Sequence, residues 1–127
     1  MRSFRTLIFM PLLLIFLQPA FADDAMERGA ELFKNCAACH SLNPGSNRTG
    51  PSLYNIVGQK AGQMEGYRYS NAMREQAEDG LVWTEENLHT FIEKPRRLIR
   101  MTKMAYPGLE DEADRAAVIE YLKAHGE

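Results

Sequence analysis

Apolar residues recur with helical spacing along much of the chain. Residues 24–35 place apolar side chains three and four positions apart, which is the spacing of one helix face. Asp23 or Asp24 is expected to cap this first helix, because an aspartate side chain can accept a hydrogen bond from a free backbone N–H. No segment has the period-2 alternation of a strand. The pattern therefore predicts an all-α domain of four or five helices.

Further helices are predicted wherever a capping residue precedes an apolar periodic segment. One helix is expected to end before Gly80, the next before Pro95 and the last before Gly126, because glycine and proline commonly follow helix ends. Ser70 and Thr84 are expected to cap the first two of these helices, and Glu110 or Asp111 is expected to open the last.

Long loops separate the predicted helices. Residues 41–50 consist mostly of turn-forming residues, residues 53–57 offer one helical turn, and residues 95–108 form a second long connection. In a domain this small, such loops normally wrap a ligand or cofactor, whose contacts offset the entropy lost on ordering them. We therefore expect a cofactor inside the domain.

The first residues of the chain have the pattern of an export signal. Arg2 and Arg5 precede an uncharged apolar run over residues 7–17, and small residues follow, ending at Ala22. The apolar run is shorter than the roughly 20 residues that a membrane-spanning helix needs, so cleavage is favoured over an uncleaved anchor. We assign residues 1–22 to a signal peptide and residues 23–127 to one periplasmic domain without stable membrane insertion.

Composition and charge narrow the class of protein. With 127 residues, 45% hydrophobic and 25% charged, the chain is long enough for one small globular domain and unlike a disordered one. The sequence has 17 acidic and 15 basic residues, and 13 basic residues remain once Arg2 and Arg5 are removed. The mature domain is therefore acidic, and its charge gives no reason to expect nucleic acid as a partner.

Cys36, Cys39 and His40 form a C-x-x-C-H motif at the end of the first predicted helix. This pattern attaches c-type haem in exported proteins. Two cysteines three positions apart can reach the two vinyl groups on one edge of a porphyrin, and the adjacent histidine can then bind the iron.

Other uses of the two cysteines explain the sequence less well. A zinc site needs four nitrogen or sulfur ligands, and His89 and His125 are isolated from each other and from the motif. A thioredoxin-like redox pair requires a βαβ context. A structural disulfide would leave His40 without a role.

The mature chain resembles the class I c-type cytochromes, the family of mitochondrial cytochrome c and bacterial cytochrome c2. The resemblance covers residues 27–125. Besides the haem motif, the matching segments are 27–29 with Phe33, 49–53, 66–69, 83–88, 94–95, 102–104 and 118–122. The resemblance implies a small cytochrome c domain whose helices and long loops wrap one haem c, attached through two thioethers.

In this family a methionine in a T-K-M sequence is the second axial ligand, which here is Met104. Met101, three residues earlier, is the competing candidate. The resemblance also implies that the Pro51 carbonyl accepts a hydrogen bond from His40 and that Tyr69 and Trp83 bind a haem propionate. The plainer alternatives are a turn proline and two core aromatic residues.

Helix crossing is a further implication of the resemblance. Gly29 and Phe33 match family residues that cross the last helix, here near Val118 and Tyr121. A position without a side chain lets two helix backbones approach closely.

An iron with ligands on both faces leaves outer-sphere electron transfer as the expected function, with no catalytic residue. The partners are expected to be redox proteins: a membrane cytochrome complex or dehydrogenase as donor and an oxidase or other acceptor, with the carrier itself a monomer. The bases expected to guide docking are Lys94, Arg96, Arg97, Arg100 and Lys103, unless they only form a solvated loop. The alternatives are a peroxide- or gas-binding haem enzyme with a labile Met104, and a fixed haem subunit of a dehydrogenase.

Overall fold

The structure is a computed structural model that describes residues 20–126. Within this range it contains five helices, and its only extended pairing is a single antiparallel bridge between Lys60 and Val82. The helices are α1 (Ala20–Cys36), α2 (Asn71–Glu78), α3 (Glu85–Glu93), α4 (Pro95–Leu98) and α5 (Glu112–Ala124). The prediction of a small all-α domain with long loops is confirmed.

Capping residues begin three of these helices where the sequence predicted them. The side chains of Ser70, Thr84 and Asp111 each accept a hydrogen bond from the backbone N–H three residues later. Each bond satisfies one of the N–H groups that have no partner inside the helix. These caps fix the starts of α2, α3 and α5.

Three local predictions are wrong. The first four residues of the connection expected over residues 95–108 form helix α4. Helix α1 begins at Ala20, so Asp23 and Asp24 lie inside the helix and neither caps it. The helical turn expected over residues 53–57 is absent, because Asn55 has a left-handed φ of 54° that interrupts a helix there.

The signal-peptide assignment falls largely outside the described residues. Residues 1–19 are not among them, and the predicted cleavage point after Ala22 lies within α1. Among the helices of residues 20–126, none combines the length and apolar character needed to cross a membrane.

Helices α1 and α5 cross at a glycine. A Cβ atom on Gly29 would lie 2.3 Å from the Ala117 carbonyl oxygen, so only glycine allows this approach. Next to the crossing, the ring centroids of Phe33 and Tyr121 are 5.4 Å apart. The crossing positions the C-terminal end of α1, where the C-x-x-C-H motif begins.

Two apolar clusters form the core and share the half-buried residues Ile56, Val57 and Ile92. The crossing cluster has Phe33, Val118 and Leu122 as its buried members, and Cys36 packs against it. Met104 packs against the other, the central cluster. The buried members of the central cluster are Ala61, Trp83, Leu88, Phe91, Ile99 and Ile119.

Candidate functional site

The chain turns sharply where α1 ends. The backbone N–H groups of Cys39 and His40 both donate to the Cys36 carbonyl, at 3.1 and 2.9 Å. Cys36 is half-buried, Cys39 is exposed, and both thiols are free. Burial raises the pKa of the Cys36 thiol. The turn thus presents two unpaired thiols and one imidazole from five consecutive residues.

His40 is a buried imidazole with one ring nitrogen engaged. The residue is 9% exposed, and its Nδ1 lies 2.7 Å from the Pro51 carbonyl oxygen. Because a carbonyl oxygen can only accept, Nδ1 is assigned as the protonated donor, and Nε2 keeps a free lone pair. Burial lowers the pKa of His40 in spite of the opposing hydrogen bond to Pro51. The neutral ring is therefore suited to binding a metal ion through Nε2.

Gly50 is required by the position of the His40 ring. A Cβ atom on Gly50 would lie 2.4 Å from His40 Cε1 and 2.7 Å from Nδ1. The Gly50 N–H donates to the Cys39 carbonyl at 2.8 Å, which holds the peptide in place. Gly50 lies within the matching segment 49–53, but no role was predicted for it from the sequence. Its place directly before Pro51 was the available signal.

Met101 and Met104 lie in contrasting surroundings on the loop over residues 99–109. Met101 is 76% exposed, whereas Met104 is half-buried and packs against the central cluster. The Met104 N–H donates to Thr102 Oγ1 at 3.2 Å. A thioether that faces the apolar core is placed for a buried metal ion, and an exposed one is not.

Tyr106 follows Met104 on the same loop. Burial raises the pKa of Tyr106. A groove of about 360 Å³ opens beside Met104 and is lined by residues 94–96 and 104–107. The Met104 loop and the start of α4 thus border one groove.

Trp83 and Tyr69 both carry a donor for an acidic ligand group but lie in different surroundings. Trp83 is 6% exposed, and its ring centroid is 5.0 Å from that of Phe91 in the central cluster. The Tyr69 hydroxyl accepts a hydrogen bond from the Met64 N–H at 3.1 Å. Since that contact uses an oxygen lone pair, the hydroxyl proton stays free to donate. Burial raises the pKa of Tyr69 and so retains this proton.

These residues fit a covalently attached haem. Two free thiols can attach the haem vinyl groups as thioethers, and an imidazole and a methionine thioether can serve as the iron ligands of a c-type centre. Apolar clusters border both the cysteine motif and Met104, as an apolar macrocycle requires. No three His, Cys, Asp or Glu side chains within residues 20–126 come together as ligands, so this part of the chain offers no zinc site.

Two of the five basic residues that precede Met104 are engaged within the protein. Arg97 pairs with Glu93 at 2.5 Å, and Lys103 Nζ donates to the Arg68 carbonyl. All five basic residues are nevertheless exposed. Only the charge of Arg97 is offset by a neighbouring acid, because the hydrogen bond of Lys103 to a neutral carbonyl leaves its positive charge in place.

Comparison with known proteins agrees with this geometry. A family model described as Cytochrome c matches residues 26–126. The chain is 42% identical over 101 residues to cytochrome c2 of Afifella marina, covering 79% of this chain and 82% of that protein. It is 43% identical over 98 residues to cytochrome c of Euglena viridis, covering 76% and 93% respectively. Among solved structures, cytochrome c2 from Rhodospirillum centenum aligns with a TM-score of 0.74 at 32% identity, covering 80% of this chain and 98% of that one.

Proposed function

The chain belongs to the class I c-type cytochromes, and from this premise we propose that it is an exported one-electron carrier whose iron is held by His40 and Met104. The observation that carries the proposal is the state of His40. Its ring is buried, which lowers its pKa and favours the neutral form, and its Nδ1 is engaged with the Pro51 carbonyl at 2.7 Å. Only Nε2 is left for a metal ion.

Each residue of the motif has a separate task in this proposal. Cys36 and Cys39 hold the haem c that the family carries, through two thioether bonds. Bound haem c supplies a one-electron iron couple. Met104 gives a soft, neutral ligand, which favours the reduced state and raises the reduction potential. With His40 and Met104 both bound to the iron, no ligand position would be open to a substrate, so the protein would act as a carrier and not as an enzyme.

Pro51, Tyr69 and Trp83 support the centre from outside the ligand set. The Pro51 carbonyl fixes the tautomer and orientation of His40. The free Tyr69 hydroxyl proton and the Trp83 indole N–H are donors for the haem propionates. Hydrogen bonds to charged carboxylates are stronger than those between neutral groups, so both contacts would hold the propionates firmly.

Electron exchange with other redox proteins requires a docking surface near Met104. The exposed bases Lys94, Arg96 and Arg100 provide local positive charge on an acidic protein. Such a surface steers the carrier, acting as a monomer, toward acidic patches on a membrane complex or dehydrogenase and on a terminal acceptor. Export to the periplasm with removal of residues 1–22 completes the proposal, and Asp23 would then be the first residue of the mature protein.

The decisive experiment compares Met104→Ala with Met101→Ala in the holoprotein. We expect Met104→Ala to lose the weak charge-transfer band of the iron–thioether bond and to bind imidazole readily. Met101→Ala, which removes an exposed thioether from the same loop, is expected to keep the band. The proposal is wrong if the wild-type protein carries covalent haem but lacks the band, or if Met101→Ala loses it and Met104→Ala does not.

A further inference from the structure

Lys103, the residue before Met104, is held by two contacts outside its own loop. Its ammonium group donates a hydrogen bond to the Arg68 carbonyl, 35 residues away along the chain. The same group lies 4.5 Å from the centre of the Tyr67 ring, which is within the range of a cation–π interaction. Lys103 thus ties the Met104 loop to residues 67–68.

Tyr67 extends this connection to the histidine side of the site. Its hydroxyl donates to the Thr49 carbonyl at 3.0 Å. Thr49 directly precedes Gly50, whose peptide lies against the His40 ring. Tyr67 therefore contacts the methionine loop through its ring and the histidine loop through its hydroxyl.

A second connection keeps the Thr49 end of this arrangement in place. The Asn47 side chain donates to the Glu65 carbonyl at 2.8 Å and accepts from the Ser52 N–H at 3.0 Å. The first bond joins residue 47 to residue 65, and the second connects the two ends of the segment 47–52 that contains Thr49. The carbonyl to which Tyr67 donates therefore lies in a segment that is itself held in place.

From these contacts we infer that Lys103, Tyr67 and Thr49 form a brace that positions Met104 on the iron. The inference rests on the proposed ligation by His40 and Met104. The loop has little support of its own. Between residues 100 and 108, the described residues provide one backbone hydrogen bond, from Thr102 to Ile99 at 3.1 Å.

The brace acts by favouring the closed loop over open ones. Its contacts exist only when Lys103 lies against residues 67–68, so they stabilise the conformation in which Met104 reaches the iron. Removing them raises the population of open conformations, and an external ligand that binds only the open form then gains apparent affinity. Lys103 and Tyr67 are in this sense positioning residues that never touch the iron.

The test is an imidazole titration of the oxidised holoprotein, with the charge-transfer band followed in parallel. We expect Lys103→Met to bind imidazole about three- to tenfold more tightly than the wild type, in line with the loss of an exposed cation–π contact and one hydrogen bond. Tyr67→Phe keeps the ring and loses only the hydroxyl, so about a twofold effect is expected. Lys103→Arg should restore most of the wild-type value.

Two controls make the result specific to the brace. Lys60→Met removes one positive charge from an exposed lysine outside the brace and should bind imidazole like the wild type. The double variant Lys103→Met/Tyr67→Phe should gain less than the product of the two single effects, because both changes break one connected unit.

The outcomes separate this inference from the proposed function. If the wild-type protein has no charge-transfer band, the ligation proposal fails before the brace is tested. If the band is present but Lys103→Met binds imidazole no more tightly than Lys60→Met, the brace is wrong and the ligation stands. Fully independent effects of Lys103→Met and Tyr67→Phe would likewise exclude a connected brace.

Discussion

The histidine side and the methionine side of the site are built in different ways. Residues 36–53 are joined by backbone hydrogen bonds between nearby segments, such as Gly50 to Cys39 and Leu53 to Ser41, both at 2.8 Å. Residues 100–108 have one backbone hydrogen bond among the described residues, and the Lys103 side chain connects them to the distant residues 67–68. The imidazole is thus fixed by local peptide geometry, and the thioether by tertiary contacts.

If His40 and Met104 hold the iron as proposed, this difference indicates which of the two ligands dissociates first. Segments with few backbone hydrogen bonds and exposed side chains open at lower free energy than well-bonded ones. The methionine loop has both properties, with Met101 76% exposed. We therefore expect the bond from iron to Met104 to break under mild denaturation while His40 remains bound.

Gly50→Val disrupts the packing around His40 and carries the largest expected effect on stability. The added Cβ would overlap the His40 ring, since it would lie 2.4 Å from Cε1. We expect the free energy of unfolding to fall by about 3 kcal/mol, the upper end for overpacking of a tight site. Guanidinium unfolding of the holoprotein measures this loss. The control Thr49→Val changes the neighbouring exposed side chain and should leave the unfolding midpoint nearly unchanged. If Gly50→Val has the same midpoint as the wild type and Thr49→Val, the His40 ring does not require a glycine at position 50.

Arg115→Met tests the far end of the methionine loop. Arg115 is 9% exposed, and its guanidinium donates to the Leu109 and Glu110 carbonyls at 2.9 and 2.7 Å. Its Nε has no partner among the described residues, so the group is incompletely satisfied. Because water can replace the donor at the exposed Glu110 carbonyl, we expect the free energy of unfolding of Arg115→Met to fall by only about 1.5 kcal/mol.

The band of the iron–thioether bond distinguishes an effect on the loop from a general loss of stability. In Arg115→Met this band should weaken at temperatures well below unfolding, and Arg115→Lys should lie between the variant and the wild type. An unchanged band up to the unfolding temperature would contradict a role for Arg115 in holding the loop.

Arg97→Gln carries the smallest expected effect on stability. Arg97 pairs with Glu93 at 2.5 Å on the surface of α3 and α4, and its side chain is 59% exposed. An exposed ion pair four residues apart contributes less than about 0.5 kcal/mol. Thermal unfolding should therefore barely change and should match that of Arg96→Gln. A loss above about 1 kcal/mol would mean that this ion pair supports the methionine loop.

Local features were predictable from the sequence because their causes lie within a few residues. Ser70, Thr84 and Asp111 cap helices through the N–H group three residues later. Ser70 and Thr84 were predicted as caps, and Asp111 was one of two residues predicted to open the last helix. The start of α1 was predicted wrongly, because the helix continues through Ala22 to Ala20 before Asp23. The turn at Asn55 was missed, because a positive φ in a residue other than glycine has only a weak sequence signal.

The sequence by itself determined the attachment chemistry. Cys36, Cys39 and His40 lie within five residues, so their relation depends on one turn of backbone and on no distant contact. The tertiary structure alone decided which methionine faces the core and what Lys103 contacts. Burial of Met104 and the position of Lys103 over Tyr67 depend on segments some 35 residues apart, and only the packed fold brings such segments together.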